Sequence, residues 1–351
     1  NLKLSLKQVM QDMDFNSIEK HMEPDYETLL QLSDTLNKMK PWTYFENADI
    51  IALDLEEYEE VFYVAVMGAG NEEFGLMIYD ELYGYELLVN TLLGKTITDE
   101  TYFDLSGFTV NFVDRSELES KDYQLIKDCG MSFRGKNKWI QFRSYNPGTF
   151  PIVPTFTDVE LLKAIVQAMI QVTEMRMQGW EYPTVPVHTY PAFKVDKHGD
   201  IGKAYTLEVD LPVKGAIEVE ITDIERAQFK RKPKIALQLE YDMFYLPYTV
   251  PSPEDEEQLI YPVVCVAFDR ATGEVLYNDI MPFPKIDFVQ QQMFWKLLNE
   301  MPVRPSKVFV KKEAMDVLGQ LAKLLGVELV RSELPNVRLF KEIMENTPPF
   351  E

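Results

Sequence analysis

"YVAVMGAGNEEFGLMIY", residues 63–79, sets two apolar runs on either side of a Gly-Ala-Gly and a pair of glutamates. A glycine loop that cradles a phosphate needs a helix directly behind it, because the helix amino terminus supplies the N–H donors and the positive end of the dipole. Here Gly68 and Gly70 run into Glu72 and Glu73 and then into a second apolar stretch. Two carboxylates repel a phosphate, and the Lys-Ser or Lys-Thr of a nucleotide-binding loop is missing. The stretch therefore reads as strand, tight turn, strand, with Gly68 and Gly70 supplying positive φ angles. Both runs are apolar on both faces, which places the hairpin inside a covered sheet.

Working outward, "EPDYETLLQLSDTLNKMKP" before the hairpin has helical spacing and a stop at Pro41, and "DIIALDLE" reads as a further strand. After it, "YGYELLVNTLLG" reads as a helix ending at Gly94. A second group follows: strand "FTVNFVDR", a helix capped by Ser116 with Glu119, and strand "KWIQFRS". The clearest helix is "TDVELLKAIVQAMIQVTEMRMQG", with Thr157 and Glu160 as its capping box. "GWEYPTVPVHTYP" reads as an extended linker, and residues 190–250 as a β-rich middle portion. The final ninety-odd residues alternate as β-β-α-β-α-β-α. The expected architecture is multi-domain α+β: 1–180 an N-terminal α+β domain with a helical lead-in, 181–255 a β-rich linking segment, 256–351 a C-terminal α/β domain.

Composition bounds the function. A chain of 351 residues exceeds what one core needs. Its 35 basic and 57 acidic residues give a net charge of −22, a field that works against nucleic acid and anionic lipid. No run approaches a membrane span, and "NLKLSLKQVMQDMD" has no apolar signal core, so the cytoplasm is the expected location and no membrane partner is expected. Cys129 and Cys265 are the only cysteines and lie far apart, which excludes a disulfide scaffold and argues against a thiolate zinc cluster. His21, His188 and His198 share no ligand spacing, and no nucleophile motif is present. No metal or cofactor is implied.

In so acidic a chain, "FRGKNKWIQFRSYNPG" stands out. Arg134, Lys136 and Arg143 lie near Trp139 and Tyr145, with Lys138 between them, and Arg143 with Ser144 can hold a carboxylate or phosphate bidentately. Arg134, Lys136, Trp139, Arg143, Ser144 and Tyr145 are thus the candidate ligand-binding residues, and a small anionic ligand or a protein the candidate partner. Against this stands a structural reading in which Arg143 pairs with a nearby acid, and structural ion pairs mimic functional sites often enough to prefer it. A second basic cluster, Arg226, Lys230, Arg231, Lys232 and Lys234, reads as a solvated turn.

The one enzymatic alternative is a metal-dependent hydrolase. Asp269, Glu274, Asp279, Asp316 and Glu333 follow one another along the C-terminal elements, and carboxylates at strand ends can hold two magnesium ions, as in ribonuclease-H-like sheets. Set against it, "DRATGE" has the composition of any hairpin turn and the net charge is wrong for a nuclease. The preferred reading is a non-catalytic module that binds a ligand or a protein.

Four stretches taken together, "YVAVMGAGNEEFGLMIY", "FTVNFVDRSEL", "FRGKNKWIQFRSYNPGTFPIV" and the terminal "PVVCVAFDRATGEVL" with "RPSKVFVKKEAMDVLGQLAKLLGVELV", resemble a family of uncharacterised bacterial proteins with two successive domains of unknown function. Arg143, Ser144, Tyr145, Pro147 and Gly148 match its central pattern, while Ile152 and Val153 depart from the aromatic expected after Phe150-Pro151. The resemblance implies an architecture and supplies no mechanism.

Overall fold

The hairpin of residues 63–79 lies at the middle of a seven-stranded sheet. The structure, a computed structural model, describes residues 24–81, 84–94, 103–210, 219–253, 258–281 and 286–346. Strand β2 (Glu60–Met67) pairs antiparallel with β3 (Gly75–Tyr79), and both are buried over most of their length. The turn between them is built differently from expectation. Gly68 has φ 126° and a Cβ there would meet Phe74 at 2.7 Å and Trp42 at 2.9 Å, so both conformation and space demand glycine. Gly70 has neither a positive φ nor a close neighbour; the second left-handed residue is Asn71, φ 59°, whose N–H donates to Gly68 O at 3.0 Å. Asparagine tolerates that region far better than most side chains.

The chain forms two units, and the described residues of the first are 24–94, 106–145 and 151–210. Its elements are α1 (Tyr26–Met39), β1 (Ile50–Leu55), β2, β3, α2 (Gly84–Leu92), β4 (Gly107–Val113), α3 (Ser120–Asp128), β5 (Trp139–Tyr145), α4 (Phe156–Met177), β6 (Thr189–Val195) and β7 (Tyr205–Glu208). The strand order is β5-β4-β3-β2-β1-β6-β7, antiparallel throughout except for the parallel pair β1–β6. Because side chains alternate along a strand, each buried strand serves two layers. Leu53, Val64, Ile78 and Phe193 join the core formed with Leu29, Leu36, Leu162, Ile165 and Met169 of α1 and α4. The residues between them, such as Tyr63 and Tyr190, face the other way, where α2 lies.

Two caps fall elsewhere than expected. Helix α4 begins two residues early, with the Thr155 N–H held by Asp158 Oδ2 at 2.9 Å in place of the Thr157–Glu160 pair. Helix α3 is capped at Glu119, since residues Arg115–Glu117 form a 3-10 turn of their own.

The described residues of the second unit are 103–105, 146–150 and those from 219 onward. They form α5 (Asp223–Arg231), β8 (Gln238–Tyr245), the short pair β9 (Val250–Pro251) and β10 (Leu259–Ile260), β11 (Val263–Asp269), β12 (Val275–Met281), α6 (Ile286–Glu300), β13 (Lys307–Val310), α7 (Lys312–Leu325), β14 (Glu328–Arg331) and α8 (Pro335–Asn346). The five-stranded sheet has the order β12-β11-β8-β13-β14, with β11 antiparallel to both neighbours and β13 parallel to both of its own. Helices α5, α6 and α7 bury Phe229, Phe294, Leu297, Leu318 and Leu321 on one face, and α8 covers the other with Val337.

This arrangement revises the three-part division. Strand β8 is the central strand of the C-terminal sheet, while β6 and β7 belong to the first sheet, so residues 181–255 are shared between two sheets. The basic cluster read as a turn lies largely on α5, anchored by the fully buried Phe229, and Lys232 Nζ donates to the carbonyls of Asn299 (2.6 Å) and Met301 (2.8 Å). The Asn146–Phe150 stretch also joins the second unit: Gly148 N–H donates to Phe103 O at 2.7 Å, and Tyr261 N–H to Gly148 O at 2.8 Å.

Candidate functional site

The candidate anion strip comes apart residue by residue. Arg134 and Lys136 are exposed in the turn before β5. Lys138 Nζ donates to Asn37 Oδ1 at 2.6 Å, and Trp139 is buried beside Phe133 and Tyr123. Arg143 is buried: its Nη1 lies 2.7 Å from Asp122 Oδ1 and its Nη2 2.9 Å from Oδ2, with Glu119 Oε1 also 2.9 Å from Nη2. Nη1 donates in addition to Phe142 O at 2.8 Å. Ser144 follows Arg143 on one strand, so the two side chains project to opposite faces and cannot clamp one anion together. Tyr145 is half-buried where β5 ends.

The electrostatics agree with that geometry. Burial acts against the charge on both groups, and the hydrogen bonds between them outweigh it. Asp122 is held below the usual carboxylate range, and Arg143 is held above its ordinary value. Asp122 also accepts from Gln141 Nε2 at 2.9 Å and from Glu119 N–H at 3.2 Å. Such a carboxylate is part of the framework, and the ion-pair reading of Arg143 is favoured over the clamp.

The carboxylates of the hydrolase reading are dispersed. Asp269 Oδ1 accepts from Ala271 N–H in its own turn, Asp279 pairs with Lys296 at 2.8 Å, and Asp316 and Glu333 are exposed on or beside different helices. The buried acids of this unit are two that the sequence did not single out, Glu240 and Asp242 on β8. Glu240 Oε2 accepts from the N–H groups of Asn336 (2.9 Å) and Val337 (3.3 Å) at the start of α8, and Arg270 stands 3.5 Å from Oε1. Lys311 lies 2.8 Å from Asp242. Each acid is therefore already compensated by a cation. Among the described residues, no group of three or more His, Cys, Asp or Glu is placed to hold a metal ion; His21 lies outside them.

A different feature of the first unit has the character of a binding site. Between α2 and residues 182–190 runs an open groove of about 490 Å³. Its walls are mainly apolar: Val89 and Leu92 from α2, Leu93 from the turn just after it, and Pro183, Val185 and Val187 from the facing segment. Among the described residues Leu93 is 54% and Val187 75% exposed. Asp49, His188 and Tyr190 add polar groups. His188 holds a left-handed φ of 63°, a region few non-glycine residues adopt, and its carbonyl accepts from Val209 N–H at 2.9 Å.

Behind the groove, Tyr63, Tyr85 and Tyr190 pack tilted and edge-to-face with ring centroids 4.5 to 6.1 Å apart, and the Tyr85 and Tyr190 hydroxyls lie 3.4 Å from each other. Burial pushes all three phenols up from the ordinary value. The thiol of Cys265, in the second unit, is likewise pushed up, to about 12, by burial. Sequence reading passed over the groove because its residues carry no chemical motif and come from segments 90 residues apart by number, Val89–Leu93 and Pro183–Tyr190.

Family models cover most of this architecture. One, Domain of unknown function (DUF7309), matches residues 26–185, and another, Domain of unknown function (DUF6930), matches residues 224–345. The chain carries two successive domains of unknown function. The first domain spans α1 to the proline-rich segment, and its match ends within the groove wall. The second domain begins on α5 and takes in the whole five-stranded sheet. No curated protein and no solved structure matches the chain. No described helix is long and apolar enough to cross a membrane.

Proposed function

We propose that the protein is a non-catalytic cytoplasmic binding module whose first domain takes a small, uncharged, largely apolar molecule in the groove between α2 and residues 182–190. The observation that carries this reading is the groove itself, apolar walls left open to solvent above a layer of neutral phenols. Its volume falls within the roughly 300–1,000 Å³ of small-molecule sites, and a few polar groups in an apolar wall serve to orient a ligand. Asp49 in the lining and a net charge of −22 oppose an anion, so the ligand class shifts from the anionic one that Arg143 suggested. The same charge argues against nucleic acid, and the two free thiols suit a reducing compartment. The hydrolase alternative has weaker support, because the buried acids Glu240 and Asp242 already face Arg270 and Lys311.

Titration with N-phenyl-1-naphthylamine, an uncharged dye whose emission rises in apolar surroundings, tests the reading. Wild type is expected to give a saturable rise. Leu93→Asp and Val187→Asp, at exposed positions, are expected to lose it while keeping the wild-type melting temperature. No rise, or one that survives both substitutions, overturns the proposal. Displacement of the dye by peptides alone would assign the groove to a protein partner.

A further inference from the structure

The sheet edges of the two units are protected unequally. Strand β14 is four residues long and carries Glu328, which pairs with Lys307 at 3.0 Å, and Arg331. Strand β7 is also four residues long. On the outer side of strand β5, near its end, Ser144 exchanges hydrogen bonds of 2.8 and 3.1 Å with Ile152. Shortness, charge and covering chain are the usual ways of blunting an edge.

Strand β12 has none of these. It runs for seven residues, "VLYNDIM", without Lys, Arg or Pro, and its one charge, Asp279, is neutralised by Lys296. Among the described residues no backbone group pairs with its outer side. A single bulge sits at its start, where Val275 stands opposite Phe268, and Tyr277 to Met281 pair regularly with β11. Ile280 is 57% exposed and Leu276 38%.

The sequence of this edge is complementary to itself. Leu276, Asn278 and Ile280 share one face by alternation. In an antiparallel pair centred on Asn278, Leu276 stands opposite Ile280 of the partner subunit, Ile280 opposite the partner's Leu276, and Asn278 opposite the partner's Asn278. On the other face Tyr277 meets Asp279 of the partner subunit, a phenol donor against a carboxylate. Apolar meets apolar, amide meets amide, and no like charges face each other, the conditions under which cross-strand pairs stabilise. An extended peptide of unrelated sequence would not need that symmetry about Asn278.

We propose that β12 pairs with β12 of a second copy of this chain across a twofold axis through Asn278, joining two five-stranded sheets into one. The contact is isologous, so it closes as a dimer. It is independent of the ligand groove, which belongs to the other unit.

Light scattering of the full chain after size-exclusion chromatography reads the oligomeric state, and a cysteine scan in a Cys129→Ser background reads the register. Wild type is expected to run as a dimer. Ile280→Lys, and Leu276→Lys on the same face, are expected to run as monomers with unchanged circular dichroism. Under oxidation Asn278→Cys is expected to form a disulfide-linked dimer. Leu276→Cys alone is not, whereas Leu276→Cys combined with Ile280→Cys is. A monomeric wild type overturns the proposal, and so does a dimer that persists in both lysine variants. Cross-linking through Leu276→Cys alone in preference to Asn278→Cys overturns the register.

Discussion

Arg143 Nη1 lies 2.7 Å from Asp122 Oδ1, and both side chains are almost wholly removed from solvent. The pair fastens β5, at the edge of the first sheet, to α3, Asp122 preceding Arg143 by 21 residues along the chain. Removing one member of such a pair leaves the other charged and buried, and that cost exceeds the net contribution of the pair. Asp122→Asn is expected to lower stability by about 3–5 kcal/mol in denaturant unfolding.

The same carboxylate sets an acid limit. Asp122 is held below its ordinary 3.8, so its contribution is whole above the unfolded value and is lost as pH falls through the folded one. Unfolding of wild type should therefore steepen with pH below about 4, and Asp122→Asn, less stable at neutral pH, should show a flatter profile there. Parallel acid profiles for the two proteins would remove Asp122 from the account.

The two turn glycines separate cleanly. Gly68→Ala forces a Cβ into a left-handed conformation within 3 Å of Phe74 and Trp42 and should cost about 1–3 kcal/mol or more. Gly70→Ala meets nothing and should stay within about 0.5 kcal/mol of wild type. Thermal melts of both, with equal losses, would contradict the turn geometry.

Helix α7 offers an internal control. Leu321 is 5% exposed in the second core, and Leu321→Ala should cost about 2–5 kcal/mol. Leu324, 40% exposed three residues on, should tolerate alanine within about 0.5 kcal/mol. Urea midpoints at constant slope decide between them.

Dispersed carboxylates predict a negative result with metals. Isothermal titration of the whole chain with magnesium or manganese should show no stoichiometric binding, and Asp269→Asn should leave stability unchanged, because asparagine keeps an oxygen for the Ala271 N–H. Stoichiometric binding abolished by Asp269→Asn would restore the hydrolase.

Local pattern made the hairpin, α1, α4 and the C-terminal helices legible, because periodicity and caps are written within a few residues of each other. What escaped was partnership across the chain. "QLEYDMFY" reads as a strand from its own letters, and nothing within it marks Glu240 and Asp242 as buried. The acids are buried beneath α8 because Arg270 and the N–H groups of Asn336 and Val337 receive Glu240, and Lys311 receives Asp242. Arg143 looked like an anion ligand since its acid, Asp122, belongs to another element. Leu92, Leu93 and Val187 are unremarkable as letters, and only the approach of α2 to the proline-rich segment makes a groove of them.

Methyl resonances test the groove most directly. With Leu and Val methyls labelled, titration of N-phenyl-1-naphthylamine should shift Val89, Leu92, Leu93, Val185 and Val187. Methyls of the first core, such as Leu53 and Leu162, should stay still. Saturable shifts confined to the groove residues are the predicted result; no shifts, or shifts centred on residues away from α2 and the 182–190 segment, would contradict the assignment.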